Sequence, residues 1–325
     1  MIRHTARPLL AAVGALALAV TLTACGSGEE TAADAGKDAG ATRTVKTAMG
    51  EVEVPKVPKR VVVLDTAELD SALTLGVKPV GAVRSDAAGG FASYLPEKEL
   101  AGTENVGVIA QPNLEAIAAL KPDLILTSKV RDEARYAQLS KIAATVMTEN
   151  TGYPWKENFQ VHAEALGKQK EAARATAAYE KRTAEVTEAV GGPAKAEETE
   201  VNVVRFVEGA DIRIYGKKNY IGTLLADVGL GRPAITDKAA DGFSYDVSPE
   251  KIDLADADVV FTATYGDPEK AKETRTTKSA LWRSLNAVKS DAVHKVEDEL
   301  WIQGIGYTAA QRILDELEEA LTSTS

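Results

Sequence analysis

The chain has 325 residues, 45% of them hydrophobic, which is enough for one large or two medium domains with real cores. Its net charge of −10 becomes −12 once Arg3 and Arg7 of the leader are set aside, and an acidic body does not suit nucleic acid. One cysteine excludes an internal disulfide, and three histidines leave almost no room for a zinc or His-cluster site.

Residues 1–25 read as a targeting segment. Arg3, His4 and Arg7 make a positive start, and Leu9 to Leu22 is an apolar run too short for a convincing span. It closes on Leu22-Thr23-Ala24-Cys25, which resembles a bacterial lipobox. The only cysteine occupies the one position that motif requires, so lipidation of Cys25 is expected. The lipid would hold the protein on the outer face of the cell membrane without a transmembrane helix. Residues 26–43 are Gly, Ser, Ala, Thr, Asp and Glu with little apolar content, the composition of a flexible tether.

The body follows. Thr44 to Val54 predicts a hairpin turning near Met49-Gly50-Glu51. Strands are predicted at Arg60–Asp65, Pro79–Arg84, Asp123–Thr127 and Ala144–Met147, with helices between them. Such alternation predicts an α/β lobe over 44–154. Trp155 to Val190 is rich in Ala, Glu, Lys, Gln and Arg, with Phe159, His162, Leu166, Ala173, Ala177 and Ala184 at helical spacing. It predicts a single helix of about 50 Å that connects two halves and stops at Gly191-Gly192-Pro193. No strict Leu or Ile seam marks it as a coiled coil. The alternation then restarts over 193–325, with strands at Val201–Val207, Ile212–Tyr215, Asp258–Thr262 and His294–Val296, and a closing helix Thr308–Leu321.

The two halves share a local plan. Glu115 precedes by eight residues an Asp that opens an apolar strand ending in Thr, Asp123 to Thr127. Glu250 stands in the same relation to Asp258 to Thr262. Leu69 to Gly76 likewise parallels Gly222 to Gly229. A duplicated α/β plan on either side of a long helix predicts two lobes with a cleft between them. In the first turn of a helix, Glu115 and Glu250 have a capping role available. As a pair of exposed carboxylates, one per lobe, they also suit a two-fold partner with matching arginines.

These features together resemble the iron-siderophore-binding lipoproteins of bacterial ABC importers, within the helical-backbone metal receptors, and most of all the ferric hydroxamate- and desferrioxamine-binding members. The residues that carry the resemblance are PNLEAIAALKPDLIL (112–126), VVRF (203–206), RIYGKKNYIGTLLADVGL (213–230) and VEDELW (296–301). The resemblance covers about residues 44–322. It implies the class III periplasmic-binding-protein fold: two Rossmann-like lobes joined by a single long α-helix. It also implies a monomeric receptor that carries no cofactor, binds a ferric siderophore in the cleft and docks through Glu115 and Glu250 on a permease dimer driven by its ATPase.

A ferric siderophore keeps its own iron ligands, so the cleft needs rings and guanidinium forks rather than metal ligands. Trp155, Tyr215, Tyr220, Phe243, Tyr245 and Trp301 are the aromatic candidates, together with Tyr153, Tyr265 and Tyr307 in loops. Arg84 and Arg131 follow strands, and Arg205 is an unusual charge in an apolar strand beside Val203 and Val207. Arg131 and Arg205 match positions where such receptors place ligand-contacting arginines. Receptors for citrate-type siderophores carry more arginine after the tryptophan of the final strand. Here Trp301 is followed by Ile302-Gln303-Gly304-Ile305-Gly306, which favours a trihydroxamate such as a ferrioxamine. A cobalamin or haem receptor of the same fold stays open, with Tyr220 or Tyr245 as axial candidates for haem. A lipid-anchored α/β enzyme is the different-class alternative, but no nucleophile elbow or phosphate loop appears.

Overall fold

The computed structural model describes residues 41–85, 89–239 and 241–323; the leader, Cys25 and the tether to residue 40 lie outside the described residues. Chain entry is the predicted hairpin, β1 (Thr42–Thr47) and β2 (Gly50–Pro55), paired antiparallel from Thr42↔Pro55 to Thr47↔Gly50. It therefore begins inside the stretch expected to be tether.

Two sheets follow. The first combines β3 (Val61–Val63), β4 (Gly81–Arg84), β5 (Glu104–Val108), β6 (Gln111–Pro112), β7 (Leu124–Ser128) and β8 (Ala144–Thr148) in the order β6-β5-β4-β3-β7-β8. All neighbours are parallel except β5 and β6. The second has β9 (Val201–Val207), β10 (Ile212–Tyr215), β11 (Ser244–Val247), β12 (Val259–Tyr265) and β13 (Val293–Lys295) in the order β11-β10-β9-β12-β13. Its β9, β12 and β13 are parallel, while β10 and β11 are antiparallel additions. Val61, Val62 and Val63 are all buried, as a strand covered on both faces requires.

The shared plan has a structural basis. β7 lies beside β3, and β12 beside β9, each the first strand of its sheet. Asp123 accepts the backbone N–H groups of Lys59 (2.7 Å) and Arg60 (2.9 Å), just ahead of β3. Asp258 accepts that of Glu200 (2.9 Å), just ahead of β9. The repeated Asp thus satisfies an otherwise open donor at the start of the neighbouring strand.

The expected single rod is two helices, Trp155–Leu166 and Gln169–Ala189. Gly167 ends the first with φ of 70°, and Lys168 N–H reaches the Ala163 carbonyl at 2.8 Å, the 6→1 bond of a Schellman cap. The Arg43 guanidinium of β1 lies against Gly167, where it suits the negative end of the helix. The connector between the sheets is therefore the second helix, and the first packs beside the helix Thr66–Thr74 that follows β3.

One buried cluster runs through the junction of the lobes. It includes Val63 and Leu126 of the first sheet, Phe159 and Tyr179 on the two helices, Val203 and Phe261 of the second sheet, and Leu314 of the closing helix Tyr307–Ser323. Trp155, Tyr179, Tyr220 and Tyr307 meet edge-to-face at 4.8–5.5 Å between centroids. Asp70, on the helix after β3, accepts the N–H groups of Thr308 and Ala309, both at 3.0 Å. It thereby caps a helix that stands outside its own lobe. Burial pushes its carboxyl up to about 6, against the pull of those two bonds.

Candidate ligand cleft between the lobes

A cleft of ≈ 430 Å³ lies where the strands of both sheets end. From the first lobe it receives Asp65 after β3, Ser85 after β4, Arg131 after β7, and Thr151 and Gly152 after β8. These are carboxyl ends of parallel strands, the usual ligand position in an open α/β sheet. Two helices begin there. Asp65 caps Thr66–Thr74 by accepting Thr66 N–H, and Asn219 caps Tyr220–Val228 by accepting Gly222 N–H.

The second lobe contributes a strand face. On β9 Val201 and Val203 lie in the junction core, and the same face then carries Arg205 and Val207 into the cleft. On β12 the face that buries Phe261 emerges as Tyr265, and on β10 Arg213 and Tyr215 alternate with buried Ile212 and Ile214. Arg205 and Arg213 stand opposite each other in the β9–β10 register. Phe243, Tyr220 and Trp301 complete the aromatic lining.

Each guanidinium has a carboxylate. Arg131 Nε donates to Asp65 Oδ2 at 2.7 Å. Arg205 makes a fork on Asp298, with Nε and Nη2 each 2.6 Å from a carboxylate oxygen, and its Cζ lies 4.8 Å over the Tyr265 ring. Burial works against the Arg205 charge, yet the Asp298 carboxylate leaves its pKa above the ordinary value. Burial raises the Tyr215 phenol, with Arg205 pulling the other way. Arg213 is held loosely, 3.7 Å from the exposed Asp246.

Of the expected ligand residues, Arg131, Arg205, Tyr215, Tyr220, Phe243 and Trp301 line this cleft. Three do not. Trp155 is in the junction, its Nε1 donating to Thr223 Oγ1 at 2.8 Å. Tyr245 lies in β11 opposite Ile214 and packs on the core behind that sheet, because β11 is a strand and not a loop. Arg84 turns to the Gly89 carbonyl at 3.1 Å. Trp301 ends a short helix, Asp298–Trp301, rather than a strand; its ring stacks on Phe261 at 4.5 Å. The Tyr220 hydroxyl donates to the Gly306 carbonyl at 2.6 Å, and Tyr245 is not among the cleft-lining residues. Glu115 and Glu250 are exposed in the first turns of Leu114–Ala119 and Pro249–Ala255, ahead of the matched strands β7 and β12. His162 and His294 are not cleft residues, and among the described residues no group of His, Cys, Asp or Glu is arranged to hold a metal ion.

Sequence reasoning missed Arg213, Asp65, Asp298 and the place of Gln303 in the cleft lining. Arg213 had the same signal as Arg205, a charge between apolar residues in a predicted strand. Asp298 had none, since its partner is 93 residues away.

Residues 61–300 match the periplasmic binding protein family. A probable siderophore-binding lipoprotein of Bacillus subtilis, YfiY, is 38% identical over 316 residues, covering 94% of this chain and 95% of the relative. The iron(3+)-hydroxamate-binding protein FhuD of the same organism is 31% identical, covering 90% and 91%. Staphylococcus aureus SirA complexed with staphyloferrin B superposes with a TM-score of 0.77 at 36% identity, covering 86% of this chain and 98% of that one. With two α/β lobes around a cleft and a family match over most of its length, this chain belongs to the periplasmic binding proteins, a family of binding proteins and not of enzymes.

Proposed function

We propose that this protein is an extracytoplasmic lipoprotein, anchored through Cys25, that captures a ferric siderophore in the cleft. It then delivers the chelate, as a monomer, to the permease dimer of an ABC importer. The carrying observation is the convergence of Arg131, Arg205 and Arg213, from both lobes, on one aromatic-lined cleft. Guanidinium forks donate to the oxygens on the surface of such a chelate, and rings pack against its organic shell. The similarity to YfiY and to SirA with staphyloferrin B supports the same reading.

Arg213 bears on the chelate class. The run after Trp301 lacks a cation, which favoured a neutral or cationic trihydroxamate. The cleft takes its cations from β9 and β10 instead. Arg205 and Arg213 oppose each other in register, and like charges so placed repel; Asp298 and the looser, exposed Asp246 offset that repulsion in part, and a bound anion would offset it further. That supports a chelate with anionic oxygens such as carboxylates. The trihydroxamate is the second reading, supported by Asp65 and Asp298, which balance two of the three guanidiniums.

The test is a titration of tryptophan fluorescence with ferric staphyloferrin B, ferric citrate, ferrioxamine B, haem and cobalamin. Tight quenching by ferric citrate or ferric staphyloferrin B, with ferrioxamine B weak, is expected. Tight ferrioxamine B binding would select the second reading. A response to haem or cobalamin alone would overturn both.

Glu115 and Glu250 supply one exposed carboxylate per lobe for the permease. The double substitution Glu115→Ala with Glu250→Ala should leave ferric-siderophore affinity unchanged and abolish uptake by cells. Normal uptake would refute the docking role.

A further inference from the structure

The loop after Trp301 carries no cation, but its Gln303 spans the cleft floor. Gln303 Nε2 donates to Asp298 Oδ2 at 2.8 Å, and its amide oxygen accepts from the Ser85 hydroxyl. The carboxylate accepts only, so the amide nitrogen must face Asp298 and the orientation follows from the chemistry. The Gln303 carbonyl accepts from Thr66 Oγ1 at 2.7 Å, and its N–H donates to the Asp298 carbonyl at 3.0 Å. Ser85 and Thr66 belong to the first lobe; Asp298 belongs to the second.

These bonds form an unbroken polar chain. Arg131 pairs with Asp65, whose Oδ1 accepts the Thr66 backbone N–H at 2.6 Å. The Thr66 hydroxyl gives its one proton to the Gln303 carbonyl, and Gln303 reaches Asp298, which holds the Arg205 fork. Both terminal arginines line the cleft. The two Arg205 bonds and the Gln303 bond together occupy both oxygens of a carboxylate that is almost fully buried. Any slack at Gln303 passes directly to the guanidinium.

We propose that Gln303 is a positioning residue: by tying Ser85 and Thr66 of one lobe to Asp298 of the other, it fixes Arg205 relative to Arg131 so that both arginines meet one ligand. The inference rests on the ferric-siderophore reading for its binding consequence, but not for its geometry. A pre-set pair of donors spares the ordering cost on binding, so Gln303 contributes affinity without itself being the main ligand contact.

The experiment uses Gln303→Leu, which keeps the backbone bonds and removes both side-chain bonds. Two readouts are taken. The first is the exchange rate of the Arg205 Nε–H with water in the ligand-free protein, by nitrogen-15 NMR, assigned by its loss in Arg205→Lys. The second is affinity for ferric staphyloferrin B and for ferrioxamine B. Gln303→Leu should speed Arg205 Nε–H exchange and weaken the chelate that wild type binds, each by about tenfold, with backbone amide dispersion unchanged. Gln303→Glu, which sets a second carboxylate against Asp298, should weaken binding at least as much. Unchanged Arg205 exchange in Gln303→Leu would overturn the proposal even if affinity fell, since Gln303 would then be a direct contact. Unchanged affinity would overturn it as well. If wild type binds neither chelate, the siderophore reading falls, and the exchange measurement alone decides the positioning role.

Discussion

Two buried acid–base pairs, one in the cleft wall of the second lobe and one inside the first-lobe side, behave oppositely. On the second-lobe side Arg205 and Asp298 meet through two bonds of 2.6 Å, and Arg205 keeps its charge. On the first-lobe side His162 Nε2 lies 3.7 Å from Glu68 Oε1, with both groups fully enclosed. That separation suits an ion pair, but no bond joins them, and His162 Nε2 and Glu68 Oε2 have no partner. Burial, and then the nearby Asp65, push the Glu68 carboxyl well up; burial pushes His162 down to about 4. Both are therefore neutral at pH 7. Geometry decides whether buried charge survives: a bidentate fork offsets desolvation, and an unaligned pair gives up its charges instead.

The largest effect is expected where charge survives. Arg205→Ala leaves the buried Asp298 carboxylate with the Gln303 amide but no countercharge, so unfolding free energy should fall by about 3–5 kcal/mol in chemical denaturation. Replacing both partners, as Arg205→Met with Asp298→Leu, should recover most of that. A double variant no more stable than Arg205→Ala would break the comparison.

The neutral pair should respond to pH. The unfolded chain protonates His162 near pH 6.5 and the folded protein only near 4, so stability drains away as pH falls between those values. Against His162→Gln, wild type should lose about 3 kcal/mol over that window, at 1.36 kcal/mol per unit. Glu68 and Asp70, both raised chiefly by burial, work in the opposite direction in both proteins and cancel in the difference. Parallel curves for the two proteins would mean that His162 is not held neutral.

A smaller effect is expected at the break between the helices. Gly167→Ala puts a side chain at φ of 70° and into the Arg43 guanidinium, at a cost of about 1–2 kcal/mol. An unchanged melting temperature would imply that the two segments prefer to be one rod.

The alternation of strands and helices, the duplicated Glu and Asp, and the halves on either side of a helical stretch were legible because they are local or periodic. The stop at Gly167 was not read, because the strong helix formers on both sides of it outweighed a lone glycine. The cleft was legible only in part. Arg205 announced itself as a charge in an apolar strand, and Arg213 carried the same mark in Ile212-Arg213-Ile214-Tyr215. Trp155 and Tyr245 could not be separated from cleft rings by composition, because a junction core and a ligand wall both take aromatics. Asp65–Arg131, Arg205–Asp298 and the Gln303 bridge depend on residues 5 to 237 positions apart brought together by topology.

Arg213 offers the most direct test of the central claim, since its loose pairing with Asp246 makes it removable without orphaning a buried charge. The measurement is the affinity of wild type and Arg213→Ala for ferric staphyloferrin B, with melting temperature as the control. Loss of a charge-assisted donor should weaken binding by about tenfold or more at unchanged melting temperature. Equal affinities would contradict the account, because the cations gathered in this cleft would then not be gripping a ferric chelate.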